Sequence, residues 1–423
     1  MQLNYSEWSD VYSFITKPIY IASGEEAKLY GPVKEKEGLF ASAVAIDRTG
    51  SRVIIGAHGL SEDGKHQVGK AYVFTRNSSN WVLEATLKPN VATEHTWFGH
   101  SVSIDATGSK IAIGGYGANS SKTDMSGSVY IFSKTDSAWI HETTLTASDA
   151  HSGDAFGFSV ALNAKGDHLV VGAYLAEPCG IPASGKIYVY RYINNTWDLD
   201  NIIYNPNKGT GDNFGWSVAI SDDGDRIASA ACCADYEGDI SVGKVHVFHK
   251  RKNAWEREAA LVASDRAPGD HFGWSISMDS DCHALVITSP FSRSGRMLRT
   301  GKAYIFTRSG PSWSEETIIH ANDESANSQF GISVAINTYG DRIVIGAPQA
   351  SSDFIQEVGK VYVFIKSKGE WQQRTCLVAK DKEPNNLFGS SIALDGTGKR
   401  MIIGAPLTTI DGKPAVGKAY IYA

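Results

Sequence analysis

The chain has 423 residues with 46 acidic against 40 basic side chains, a formal charge of −6, which removes any electrostatic case for binding nucleic acid or an anionic membrane surface. Hydrophobic residues make up 42% and charged residues 20%, an ordinary globular composition, and no apolar run approaches the roughly 18 residues a membrane-crossing helix needs. Five cysteines (Cys179, Cys232, Cys233, Cys282, Cys376) are too few and too scattered for a disulfide framework and fit a reducing compartment.

The start, MQLNYSEWSDVYSFITKP, has no basic region followed by an apolar one, so no signal peptide is visible there. Residues 1–22 read as an N-terminal extension with no counterpart later in the chain. From residue 23 to residue 423 the sequence reads as one repeated domain. The first landmark, EAKL at 26–29, lies 58 residues before EATL at 84–87.

Phe40 opens the series proper. Phe-Gly pairs begin at Phe98, Phe156, Phe214, Phe272, Phe330 and Phe388, each 58 residues after the last, and Phe40 precedes them in phase with Ala41 in place of Gly. A tryptophan keeps the same interval from Trp81 to Trp371, and a glycine from Gly69 to Gly417. Three independent markers therefore hold one period through seven units without an insertion.

Within a unit the pattern predicts four short strands. SVAIN at 333–337 alternates at period two, NTYGD at 337–341 is a tight turn, and RIVIGAP at 342–348 is the second strand. A variable loop leads to the third, GKVYVF at 359–364. A polar turn reaches the fourth, WQQRTCL at 371–377, where Trp371 and Leu377 are expected on one face. Seven four-stranded sheets, none able to bury both faces alone, predict an all-β, seven-bladed β-propeller of antiparallel blades. The last unit stops at Tyr420–Ala423, after its third strand, so the strand at 26–29 is expected to complete it and close the ring. A competing register would use WSDVYSFI, 8–15, instead.

Phe-Gly, a strand, then Gly-Ala-Pro stands here as Phe330-Gly331 with Gly346-Ala347-Pro348 and as Phe388-Gly389 with Gly404-Ala405-Pro406. In this the chain resembles the FG-GAP repeat family, whose members include the integrin α-subunit propellers. The resemblance covers about residues 24–423 and implies a propeller that binds proteins or glycans, outside the cell or across a host boundary. The compartment itself is left open. Integrin-like blades often carry an Asp-rich calcium loop between the first two strands. Here that place holds short turns such as DRTGS at 47–51 and SDDGD at 221–225, too short to wrap an ion that wants 6–8 oxygens, so no calcium or other cofactor is expected.

The residue after Phe-Gly varies, and in four successive units it is His100, Phe158, Trp216 and Trp274. Two readings stand: packing between blades, or an aromatic arc near one mouth of the central channel, where rings serve protein hot spots and sugars. The loop SRSGRMLRT, 292–300, combines Arg293, Arg296 and Arg299 with Met297, residue types enriched at interfaces. Asp149, Asp265, Asp323 and Asp381 share one repeat position, and Asp154, Asp212 and Asp270 another; both sets are expected to accept backbone N–H bonds in local turns.

Enzyme patterns fail. GKHQVGKA at 64–71 has the glycine spacing of a phosphate loop, but its Gly-Lys opens a strand and Ala71 replaces the hydroxyl residue. Cys232 and Cys233 are expected on opposite faces of a strand, so a shared metal is not expected unless another Cys or His lies nearby in space. The leading expectation is a monomeric, non-enzymatic module for a protein partner, as in adhesion or host interaction. A lectin is the alternative, and an enzyme with a channel-mouth active site a distant third.

Overall fold

A computed structural model describes residues 24–78, 80–119, 124–252 and 254–423. The extension 1–22 and the alternative segment 8–15 lie outside the described residues.

Each 58-residue unit folds as the alternation dictates. In blade 6, Ser333–Ile336, Arg342–Ala347, Lys360–Ser367 and Glu370–Leu377 form an antiparallel meander, with Val334 opposite Ile345 and Ile345 opposite Tyr362. The first turn is held by its opening side chain. Asn337 Oδ1 accepts the Asp341 and Arg342 amides at 3.0 Å each, and Gly340 takes a φ of +67° that a tight hairpin requires. Asp47, Asp105, Asp279 and Asp395 accept amides in the same way in other blades. The carboxylates of these short turns thus serve their own backbone.

Two expectations about side chains need correction. Trp371 packs with Phe330 and Phe364, whereas Leu377 packs with Phe388 in the next interface. A bulge opposite Val363 and Phe364 inserts one residue between them and turns the end of the strand over, so they lie on opposite faces. The Asp149 set is held mainly by side chains of the third strand, with a local backbone N–H bond as a lesser partner. Asp149 accepts from Lys186 Nζ at 2.8 Å and Tyr188 Oη at 2.6 Å, and Asp265 and Asp381 hold Lys302–Tyr304 and Lys418–Tyr420 alike. That triad explains why the third strand opens Gly-Lys-x-Tyr. The second set behaves as expected: Asp154 and Asp270 accept the amides of His151 and Ala267.

The seven sheets form the ring of a β-propeller. Blade 7 is built from both ends of the chain: Glu25–Leu29 pairs with Lys418–Tyr422, with Lys28 opposite Tyr420. Glu26 on this closing strand accepts from Arg400 of its own blade and Arg76 of blade 1, at 2.8 and 2.6 Å.

The seams between blades repeat one device. Each motif phenylalanine is buried and donates its amide to the carbonyl just before the third strand of the preceding blade: Phe98 to Val68 at 2.9 Å, Phe272 to Val242 at 2.8 Å, and, across the closure, Phe40 to Val416 at 2.9 Å. Its ring packs on the third-strand tyrosine of its own blade, as Phe388 does on Tyr420 at 5.2 Å, with His246 taking that place in blade 4. The carbonyl of the motif Gly lies over the Gly of Gly-Ala in the neighbour, so close that a Cβ on Gly56 would sit 1.9 Å from Gly99 O. Serines complete the contact: Ser101 donates to Gly157 O at 2.8 Å and Ser391 to Ala41 O at 2.9 Å.

At the other end of the innermost strands, the hairpin turns are linked by backbone bonds one repeat apart. Arg48 donates to Ala106, Asp222 to Ser280, Thr338 to Gly396 and Gly396 to Arg48. Arg48 of blade 1 also forms an ion pair with Asp222 of blade 4, across the axis.

Gly404→Ala would place a methyl 2.1 Å from the Ala41 carbonyl at the closure. It is expected to cost about 3 kcal/mol in chemical unfolding, against about 1 kcal/mol for Ser391→Ala, which removes one hydrogen bond.

Candidate functional site

The antiparallel path of each blade puts two loops on one face of the ring: the variable loop after the second strand, and the link into the next Phe-Gly. The hairpin turns occupy the other face. Two repeat positions therefore meet at the loop-bearing mouth, the residue after Phe-Gly and the residue after Gly-Ala.

In blades 1 to 5 these positions build a continuous series of rings. His58 meets His100 at 5.4 Å, His100 meets Phe158 at 4.8 Å, Phe158 meets Trp216 at 4.9 Å and Trp216 meets Trp274 at 4.6 Å, centroid to centroid. Tyr116 and Tyr174 wedge against them, at 4.5 Å from His100 and 4.3 Å from Phe158. Trp216 Nε1 donates to the Trp274 carbonyl at 3.2 Å, which fixes one indole on the next blade. All these residues are half-buried. The rings pack between blades, at the loop-bearing end of the innermost strands.

The arc continues into the arginine loop. Phe291 lies 4.9 Å from Trp274, and the Arg299 guanidinium sits over Phe291 at 5.9 Å. Arg293, Leu298 and Arg299 line one recess with Asp270, His271 and Phe291. The loop itself is a small hairpin, Ser294 and Met297 exchanging backbone bonds at 3.1 and 3.0 Å, with Arg296 and Met297 exposed at its tip. It is anchored where Gln329 and Asn327 of the next link donate to Arg299 and Leu298 carbonyls. Every site residue expected from sequence thus belongs to one surface, with Arg296 and Met297 at its rim.

Sequence reasoning missed Tyr116, Tyr174 and Phe291. Their signal was present, since Tyr116 and Tyr174 stand where the motif has the Pro of Gly-Ala-Pro, and Phe291 directly follows Pro290.

It also missed a thiol–imidazole cluster beside the arc. Cys232 and Cys233 do not lie on a strand but in the turn that follows Arg226–Ala231, and so they do not face opposite ways. Their sulfurs are 3.7 Å apart, and Cys233 Sγ is 3.5 Å from His271 Nδ1 on the next blade. The Cys232 hydrogen bond, with His271 and against burial, pulls the Cys233 thiol down to about 5, while burial pushes Cys232 up.

Burial also sets the charge of the arc. It lowers His58 to about 4 and, with His58 alongside, His100 to about 3, so both are neutral imidazoles at neutral pH.

The FG-GAP repeat family model matches residues 81–132, 139–190, 255–306, 313–364 and 371–422, more than half of the sequence. The chain belongs to the FG-GAP repeat family. It is 27% identical over 176 residues to integrin alpha-2 of Mus musculus, a match covering 38% of this chain and 14% of that protein. The chain therefore spans a small part of that relative's length. Among solved structures it is similar to the β-propeller domain of Cps50 (Swd1) of Myceliophteria thermophila, at 8% identity and a TM-score of 0.56, covering 90% of this chain and 96% of that one. That likeness concerns the fold alone.

Both arc histidines have folded pKa values below the ordinary 6.5, so the unfolded chain binds more protons between that value and about 3. Stability they contribute is whole above pH 6.5 and is lost on acidification, at up to about 1.4 kcal/mol per pH unit for each. His100→Phe, which copies Phe158 one blade on, is expected to flatten the fall in melting temperature between pH 7 and 4.

Proposed function

We propose that this propeller is a non-enzymatic binding module that recognises a protein partner through the aromatic arc and the arginine loop at its end. The observation that carries this reading is the unbroken run of half-buried rings from His58 to Phe291, ending in an exposed hairpin that holds Arg293, Arg296, Met297 and Arg299. Rings already packed on one another lose little freedom when a partner covers them. Aromatic residues, arginine and methionine are also the types enriched at interface centres.

The charges describe the partner. The two arc histidines are neutral, so the arc is an uncharged aromatic surface, and the cations are gathered at one end. The complementary ligand is a protein segment with an apolar side chain next to carboxylates. The likeness to an integrin α subunit agrees with a recognition role, which includes adhesion or contact with a host surface.

Immobilised wild-type propeller is expected to retain a partner from candidate cell or membrane extracts. The Arg293→Glu, Arg296→Glu, Arg299→Glu triple variant and Trp274→Ala are each expected to weaken that complex at least tenfold, about 1.4 kcal/mol. The triple variant alters only exposed side chains, so its melting temperature should match wild type. Equal retention by both variants overturns the assignment. Multivalent binding on a glycan array that is lost with Trp216→Ala would replace the protein partner with a sugar.

A further inference from the structure

One seam of the ring differs from the other six in its chemistry. Three repeat positions flank each seam: the residue after Gly-Ala, the residue following it, and the residue before the next Phe-Gly. Between blades 4 and 5 these three are Cys232, Cys233 and His271. The preceding seam has Tyr174, Leu175 and Asn213 there, and the following one Pro290, Phe291 and Gln329. Only this seam fills all three with cysteine or histidine, and there the fold brings the side chains together.

The spacing is that of a coordination shell. Two thiolates about 2.3 Å from a tetrahedral centre lie about 3.8 Å apart, and a thiolate and an imidazole nitrogen at about 2.05 Å lie about 3.6 Å apart. Here the sulfurs are 3.7 Å apart, and Cys233 Sγ is 3.5 Å from His271 Nδ1. All three donor atoms lie within 4.8 Å of one another.

The backbone holds them there. Ala234 N donates to Ala231 O at 3.0 Å and closes the turn that carries both cysteines, and Cys233 N donates to Asp212 O at 3.2 Å. His271 takes a φ of +53°, as the residue before the motif Phe does in every blade, and its amide donates to Ser241 O at 3.2 Å. Cys232 is fully buried, while Cys233 and His271 are half-buried, so the donor set opens toward the mouth.

We propose that Cys232, Cys233 and His271 form a binding site for zinc or a similarly soft transition-metal ion, with the fourth position left to water or to a donor atom of a ligand. Two sulfurs and one imidazole suit such ions and not calcium or magnesium. Both sulfurs bind as thiolates, and a proton still held by either passes to solvent as the metal–sulfur bond forms. The ion would add a crosslink to a seam where the innermost strand of blade 5 is only Ile276–Met278 and Ala230 stands where most blades have the bare Gly. The site would also set a fixed positive centre beside Trp274 and Phe291.

The test is titration of the freshly reduced full chain with Co(II), followed by displacement with Zn(II). One equivalent should bind, with the near-ultraviolet thiolate-to-cobalt band and the intense visible bands of a tetrahedral site, and zinc should abolish both. Cys233→Leu and His271→Gln place at these positions residues that equivalent positions already hold, Leu175 and Gln329, so both should fold. Each should lower cobalt affinity by more than about 100-fold, the upper end of what is lost with a mere supporting group. Cys179→Ser, remote from the cluster, should bind like wild type. Absence of the charge-transfer band in reduced wild-type protein overturns the proposal. So does its persistence in Cys233→Leu, or a Cys232–Cys233 disulfide that forms in the presence of saturating zinc.

Discussion

Everything in this molecule depends on how closely one blade's backbone can lie on the next. The motif Phe amide reaches the preceding blade's carbonyl at every seam, and where the motif Gly meets the Gly of Gly-Ala the two backbones touch with no side chain between them. Seven such contacts, one of them made across the chain ends, convert sheets that could not stand alone into a closed ring. The buried Phe, the strand-opening Lys and Tyr, and the carboxylate that holds them all serve the same approach. Stability is therefore distributed over equivalent seams, and no single side chain carries it.

That redundancy is what frees the mouth. Once the seam is secured by backbone and by glycine, the residues just beyond each Gly-Ala and each Phe-Gly are not needed for closure. Blades 6 and 7 keep small or aliphatic residues there, Ile332 and Ser390, whereas blades 2 to 5 place an imidazole or a ring. The asymmetric surface is a product of a symmetric scaffold. The same freedom allows blade 4 to trade tyrosine for His246 and its aspartate partner for Asn207, 3.2 Å apart, without disturbing its strands.

The ring, its blade number and its closure were legible because a strict 58-residue period exposes three markers at once, and a terminal half-blade at each end has one simple solution. The arc was legible in part: His100, Phe158, Trp216 and Trp274 share a repeat position, so a column of equivalent letters reveals them. Tyr116 and Tyr174 were hidden because they stand where the motif name leads one to look for proline. Trp371 and Leu377 misled because period-two alternation cannot register a bulge. The Asp149 column misled because its partners, Lys186 and Tyr188, are distant in sequence, and short polar segments invite a local explanation. Cys233 and His271 are 38 positions apart in different blades, and only the seam geometry brings them together.

The Arg48–Asp222 pair has a further consequence. It runs from blade 1 to blade 4 like a crossbar over the drain, beneath a floor of turns knitted to their neighbours. The two ends of the axis therefore differ in kind: an ion pair spans the one ringed by turns, and packed rings edge the one that bears the loops.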